Sequence, residues 1–134
     1  MSEFFLPVRV YYEDTDVAGI VYYANYLRFL ERGRTEWIRT LGIDQSVLIE
    51  QGLAFAVAEV NIKYLKPARF NDLLEVVTRV KQAGRASLMF EQLVRNKENP
   101  DLIYVTADVK AVCIRMDTIK PVALPERILE EIAA

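Results

Sequence analysis

The chain contains no histidine. That absence removes Ser-His-Asp and Cys-His triads, the commonest metal ligand and the usual general base near neutral pH. The single cysteine, Cys113, allows no intramolecular disulfide, and with only scattered carboxylates around it a zinc site is not expected. Lying in a β-patterned run, it reads as a buried structural thiol. No run of about 18 apolar residues occurs, so a bilayer-spanning helix is excluded. The opening Met1–Pro7 lacks the basic and apolar regions of a secretory signal, and a cytoplasmic location is the expectation. There is no excess of positive charge either: 17 Lys and Arg against 19 Asp and Glu argue against a general nucleic-acid binder. No repeat, linker or low-complexity segment divides the 134 residues, and one domain, 1–134, is expected. Chemistry in such a chain falls to carboxylates, tyrosines and backbone amides, with no metal and no cofactor called for.

What is present is a regular alternation of patterns. Val8, Val10 and Tyr12 alternate with Arg9, Tyr11 and Glu13, the period of a half-buried strand. A helix is expected from about Tyr22–Asn25 to Leu41, closed by Gly42. Tyr26, Leu27, Phe29, Leu30, Gly33, Trp37, Ile38 and Leu41 form its apolar face, with Arg28, Arg32, Thr35 and Arg39 opposite. Gly33, in mid-helix on that apolar face, reads as a point of tight packing. A short helix is expected from Asp44, its cap, to Gln51. Ala56, Ala58, Val60, Ile62 and Tyr64 then form one face of a strand, followed by strands over Leu74–Lys81 and Ala86–Val94 and a loop over Asn96–Asp101. The run Leu102–Met116 is apolar on both faces, with Ile103, Val105, Ala107, Val109, Ala111 and Cys113 on one and Leu102, Tyr104, Val112, Ile114 and Met116 on the other, as in a central strand covered on both sides for part of its length. A last helix spans Glu126–Ile132. A strand, a long helix and a series of hairpin-connected strands predict an α+β fold, a curved antiparallel sheet over one helix. Its open edges favour homo-oligomerisation.

The stretch Tyr12-Glu13-Asp14-Thr15-Asp16, followed by Gly19 and then Tyr22–Tyr26, places two carboxylates on a loop that enters the positive end of a helix dipole. Asp16 is the candidate reactive acid and Asp14 a structural hydrogen-bonding group. Gly19 would let backbone approach a ligand closely. Glu31, at the margin of the helix's apolar face, either looks into a pocket or is a solvated charge near Arg28.

Together with Ile20-Val21-Tyr22-Tyr23-Ala24-Asn25-Tyr26, Glu31-Arg32 and Arg34-Thr35-Glu36-Trp37, this stretch resembles the signature of hotdog-fold acyl-CoA thioesterases. The likeness is to the 4-hydroxybenzoyl-CoA thioesterase and YbgC-like branch, and Tyr64–Asp72 with Leu74-Glu75-Val76 matches its second recurrent segment. The resemblance implies a five-stranded antiparallel sheet wrapped around one long central helix. It also implies subunits that join their sheets into dimers, commonly paired into tetramers, with active sites at the dimer interface. It places the catalytic acid at Asp16; the free N–H groups at the helix start, with the backbone amide of Tyr23 the best candidate, would polarise the carbonyl. Gly19, Val21 and Glu31 stand as substrate-binding candidates. The chain departs from the YbgC-like group at Tyr23, where that group usually has histidine, so any mechanism using that histidine is excluded.

The resemblance implies an acyl-CoA or aroyl-CoA substrate, and CoA carries phosphates. Lys66, Arg69, Lys81, Arg85 and Arg115 are candidate contacts, though each also reads as a solvated edge or loop charge. The alternative function is a weakly catalytic or non-catalytic partner in a Tol-Pal or lipid-synthesis complex, with acyl carrier protein as the partner. A hotdog hydratase, which generally needs histidine in its acid–base pair, is disfavoured.

Overall fold

The structure, a computed structural model, describes residues 3–133; Met1, Ser2 and Ala134 lie outside them, so the expectation about the opening Met1–Pro7 falls partly outside the described residues. Its strands are β1 (Phe4–Arg9), β2 (Leu53–Tyr64), β3 (Leu73–Ala83), β4 (Ser87–Asn96) and β5 (Ile103–Arg115). They form one antiparallel sheet in the order β1-β3-β4-β5-β2. The helices are α1 (Tyr26–Thr40), α2 (Gln45–Glu50) and α3 (Glu126–Ala133). No helix is long and apolar enough to cross a membrane among the described residues.

The expected α+β architecture follows from side-chain periodicity. Along β3 and β4 every second residue points inward, giving buried rows Leu74-Val76-Thr78-Val80 and Leu88-Phe90-Gln92-Val94. On β5 the row is Val105-Ala107-Val109-Ala111-Cys113. Across these lies α1, which buries Tyr26, Phe29, Leu30, Gly33, Trp37 and Ile38. The Trp37 and Phe90 rings meet edge-on at 5.5 Å. Burial of each such large apolar side chain stabilises the fold by about 1.5–3 kcal/mol.

Gly33 marks where helix and sheet come closest. A Cβ there would lie 2.7 Å from Thr78 Oγ1, 2.9 Å from Val76 Cγ1 and 3.1 Å from Gln92 Nε2. The position is one of tight packing, as its place on the apolar face suggested. Gly33→Ala gains about 1 kcal/mol of helix propensity but overfills a packed interface at a cost of about 1–3 kcal/mol. A net loss of about 1 kcal/mol is expected in urea unfolding, and an unchanged or raised midpoint would contradict it.

Four expectations are corrected by tertiary structure. The first strand runs over Phe4–Arg9 rather than Val8–Glu13, and Tyr12–Asp14 form a 3-10 turn with Tyr12 exposed. Local hydrogen bonding wins there: the Asp14 carboxylate accepts the Tyr11 N–H at 2.8 Å and the Thr15 hydroxyl donates to the Tyr12 carbonyl at 2.8 Å. Pro7 is tolerated because β1 is an edge strand. In α1, which follows a 3-10 turn over Tyr23–Asn25, Leu27 is exposed rather than core.

On β2, a bulge between Val57 and Glu59 shifts the alternation. Phe55 and Val57, opposite buried Cys113 and Ala111, therefore share the inner face with Val60, Ile62 and Tyr64, and Ala56 turns outward. On β5, a register shift beside Ile103 buries Tyr104, which had been assigned to the opposite face. The inner face of β2 also extends past the end of the helix's cover: Val57, Val60 and Tyr64 are 50%, 39% and 45% exposed. This edge strand thus presents both unpaired backbone and apolar side chains.

Candidate active site

Two short segments build the site. In the first, the Tyr12–Asp14 turn leads into an antiparallel bridge between Thr15 and Val21. The bridge is closed by the four-residue turn Asp16–Gly19. Gly19 N–H donates to the Asp16 carbonyl at 3.0 Å, Asp16 N–H to the Ile20 carbonyl at 3.0 Å and Ala18 N–H to Asp16 Oδ1 at 2.9 Å. Aspartate suits the first position of such a turn, and Gly19, at φ 76°, suits the last. The Asp16 side chain is exposed, with Oδ1 on the Ala18 amide.

Asp14 locks this hairpin to the helix start. It is buried, accepting the Tyr11 N–H at 2.8 Å on Oδ2 and the Asn25 side-chain amide at 2.7 Å on Oδ1. Its own carbonyl accepts the Tyr22 N–H at 2.9 Å. Asp14 therefore has the structural role expected of it, and Asn25 is the partner that sequence reasoning missed. The Tyr23 and Ala24 amides, at the first turn of the helical run, donate to no backbone or side-chain oxygen among the described residues.

The second segment is the loop Lys66–Asp72. Val21 N–H donates to the Ala68 carbonyl at 2.8 Å, Ile20 bridges Arg69, and Ala68 N–H donates to the Tyr26 phenol oxygen at 3.1 Å. Val21 is buried with its N–H committed, so it holds the loop from beneath. Tyr23 is 61% exposed; its ring lies 5.1 Å from that of Tyr22 and 5.9 Å from that of Tyr64, which in turn meets Tyr26 at 5.9 Å. The structure therefore joins Asp16, Gly19 and Val21 by hydrogen bonds in one hairpin, with Tyr23 two residues beyond Val21 and packed through its ring against Tyr22 and Tyr64.

Glu31 stands apart from that hairpin. It opens onto a cavity of about 90 Å³ between α1 and β2, lined also by Arg34, Ile38, Phe55, Val57 and Phe90, and neither Asp16 nor Tyr23 lines it. Its Oε1 accepts the Thr35 hydroxyl at 2.9 Å. Behind the cavity lies a second missed feature. Buried Gln92 donates through Nε2 to the Leu30 carbonyl and to Thr78 Oγ1, both at 2.9 Å, and accepts from Arg34 Nη1 at 3.0 Å. A glutamine in phase with apolar neighbours on β4 was the available signal. Of the phosphate candidates, Lys81 and Arg115 pair with Asp108 and Asp117 at 3.7 and 2.8 Å. Lys66 and Arg69 are exposed on the loop that holds Val21, and Arg85 is an exposed turn residue.

Burial pushes the Tyr26 and Tyr104 phenols up from 10.0 and the Cys113 thiol up from 9.0. In each case the folded chain holds the proton more tightly than the unfolded one. The stabilisation is complete below the unfolded value and is lost as pH rises through the raised one. Stability is therefore expected to be flat near neutrality and to fall above about pH 9. Urea midpoints measured across that range check this, and a midpoint still rising there would contradict it.

The model of the thioesterase-like superfamily matches residues 10–132. An acyl-CoA thioesterase YbgC of Haemophilus influenzae is 47% identical over 127 residues, covering 93% of this chain and 90% of that protein. An acyl-CoA thioester hydrolase YbgC of Escherichia coli is 42% identical over 125 residues, covering 93% and 92%. The crystal structure of a probable thioesterase from Bartonella henselae superposes with a TM-score of 0.85 at 35% identity, covering 92% of this chain and all of that one. At 24% identity, a 1,4-dihydroxy-2-naphthoyl-CoA thioesterase from Synechocystis shares the fold with a TM-score of 0.91, covering 98% and 96%. The chain therefore belongs to the thioesterase-like superfamily and is a thioester hydrolase with the hotdog fold.

Proposed function

We propose that this enzyme hydrolyses acyl-CoA thioesters, with Asp16 as nucleophile or general base and the Tyr23 backbone N–H as donor to the carbonyl oxygen. The observation that supports it is the direct hydrogen bonding of the Asp16 hairpin, through Thr15–Val21 and Asp14–Tyr22, to the backbone that opens the helix. An acid and an unengaged amide are thereby held on adjoining stretches of chain. As the carbonyl is attacked, its oxygen gains charge, and an N–H aimed at it stabilises the transition state more than the ground state. The carboxylate either attacks directly, giving a mixed anhydride that water cleaves, or takes a proton from water as that water attacks. In either route the sulfur leaves as CoA thiol and the acid is released. No histidine takes part, since Tyr23 stands where the YbgC-like group usually carries one.

Gly19 gives substrate access to the loop backbone, Val21 fixes that loop, and Glu31 contacts the acyl group in the α1–β2 cavity. Pairing of β2 with β2 of a second copy would satisfy the open edge and cover Val57, Val60 and Tyr64. The hotdog dimer implied by the resemblance is thereby supplied with a physical reason. Released CoA thiol, followed across a panel of acyl- and aroyl-CoA esters, tests the proposal. Turnover of at least one ester is expected, and none from any would overturn it.

A further inference from the structure

We propose that Arg34 recognises an oxygen at the far end of the acyl group, making the enzyme selective for long acyl chains that carry a distal hydroxyl or carboxylate. The inference deepens the acyl-CoA reading above and rests on it. Arg34 is half-buried on the wall of the α1–β2 cavity, where Ile38, Phe55, Val57 and Phe90 are apolar. Desolvation lowers its pKa, with Glu31 partly opposing the shift. It forms no ion pair among the described residues.

A partly buried cation without a contact ion pair is unfavourable unless its N–H groups find acceptors. One does, in the neutral Gln92 Oε1 at 3.0 Å. That amide cannot turn away, because its nitrogen is held by the Leu30 carbonyl and Thr78. The guanidinium is thus oriented from behind while further N–H groups remain for a ligand.

The proposed route to Arg34 runs along the inner face of β2. Exposed Val57 borders the cavity, Val60 and Ile62 continue the strip, and Tyr64 meets the Tyr23 ring at the helix start. From Tyr23 to Arg34 the helical run rises about 16 Å, and a helical side chain leans back toward the N-terminus. A chain of roughly ten carbons spans what remains. Glu31 Oε1 is engaged by Thr35, and the Glu31 carboxylate can accept a hydroxyl hydrogen but repels a second carboxylate. A distal hydroxyl therefore fits best.

Calorimetric titration with non-hydrolysable thioether analogues tests this independently of catalysis, using S-decyl-CoA, its ω-hydroxydecyl counterpart and an ω-carboxynonyl counterpart. A hydrogen bond to a charged donor predicts roughly tenfold or more tighter binding of the ω-hydroxy compound than of the decyl compound. That gap should collapse in Arg34→Met, which keeps much of the side-chain stem, and in Gln92→Leu, which releases the guanidinium. The carboxylate arm distinguishes the two oxygen sources. Equal binding of all three by the native enzyme, no binding of any, or a gap that survives Arg34→Met would each overturn the proposal. Absence of turnover with the corresponding thioesters would instead count against the thioesterase reading.

Discussion

Asp16→Asn is expected to fold as the native chain does and to lose about 10²–10⁴-fold in kcat/KM toward its best acyl-CoA ester, the usual contribution of a positioned acid–base group. The substitution separates the two roles of the side chain. Asp16 Oδ1 accepts the Ala18 N–H at 2.9 Å to form the turn, and an asparagine oxygen can do the same, being equally suited to such corners. What is lost is the negative charge, which both direct attack and proton abstraction from water require. Melting temperature should stay near that of the native enzyme while CoA release falls. Equal rates in the two proteins would remove Asp16 from the mechanism. Turnover in ¹⁸O-labelled water then tests direct attack: label entering the Asp16 carboxylate over many turnovers marks a mixed anhydride cleaved at the aspartyl carbonyl, whereas label confined to the product acid fits a general base or an anhydride cleaved at the acyl carbonyl.

Asp14→Ala should act in the opposite sense, on the fold first and on the rate as a consequence. The buried carboxylate accepts the Tyr11 N–H and the Asn25 amide at 2.8 and 2.7 Å. Removing it strands both donors, and each unsatisfied group costs about 1–3 kcal/mol. A loss of about 3 kcal/mol in urea unfolding is expected, with kcat falling because the hairpin no longer holds its place against the helix start. Asn25→Ala removes one of the same bonds, so the double variant should lose clearly less than the sum of the two single losses. Additive losses, or a loss within about 0.5 kcal/mol for Asp14→Ala alone, would show that this bond does not lock the loop.

Where sequence and structure agree, short-range pattern decides. The buried rows of β3 and β4 follow from strict period-two alternation, and the buried face of α1 from a 3.6-residue period. Asp44 caps α2 by accepting the Ser46 N–H at 2.8 Å, an interaction two residues long. The pair of acids, the glycine and the helix start are contiguous, so their alliance was legible before any coordinates. Where the two differ, a bulge or a competing local hydrogen bond intervened. The β2 bulge reversed the orientation of Ala56 relative to Val60 while leaving composition untouched. Tyr12 left the strand because its neighbours found hydrogen bonds closer at hand.

The residues alone determined the helix and most of the strands, the exclusion of histidine chemistry and the contiguous stretch in which the reactive acid is proposed, because each depends on neighbours within a few positions. Only the tertiary structure decided that Asn25 clasps Asp14, that Ala68 and Tyr26 brace Val21, and that Gln92 holds Arg34 beside a cavity. Arg34 and Gln92 lie 58 positions apart along the chain. Such contacts have no local signature, since they form only when α1 is laid across a sheet whose strands are already in register.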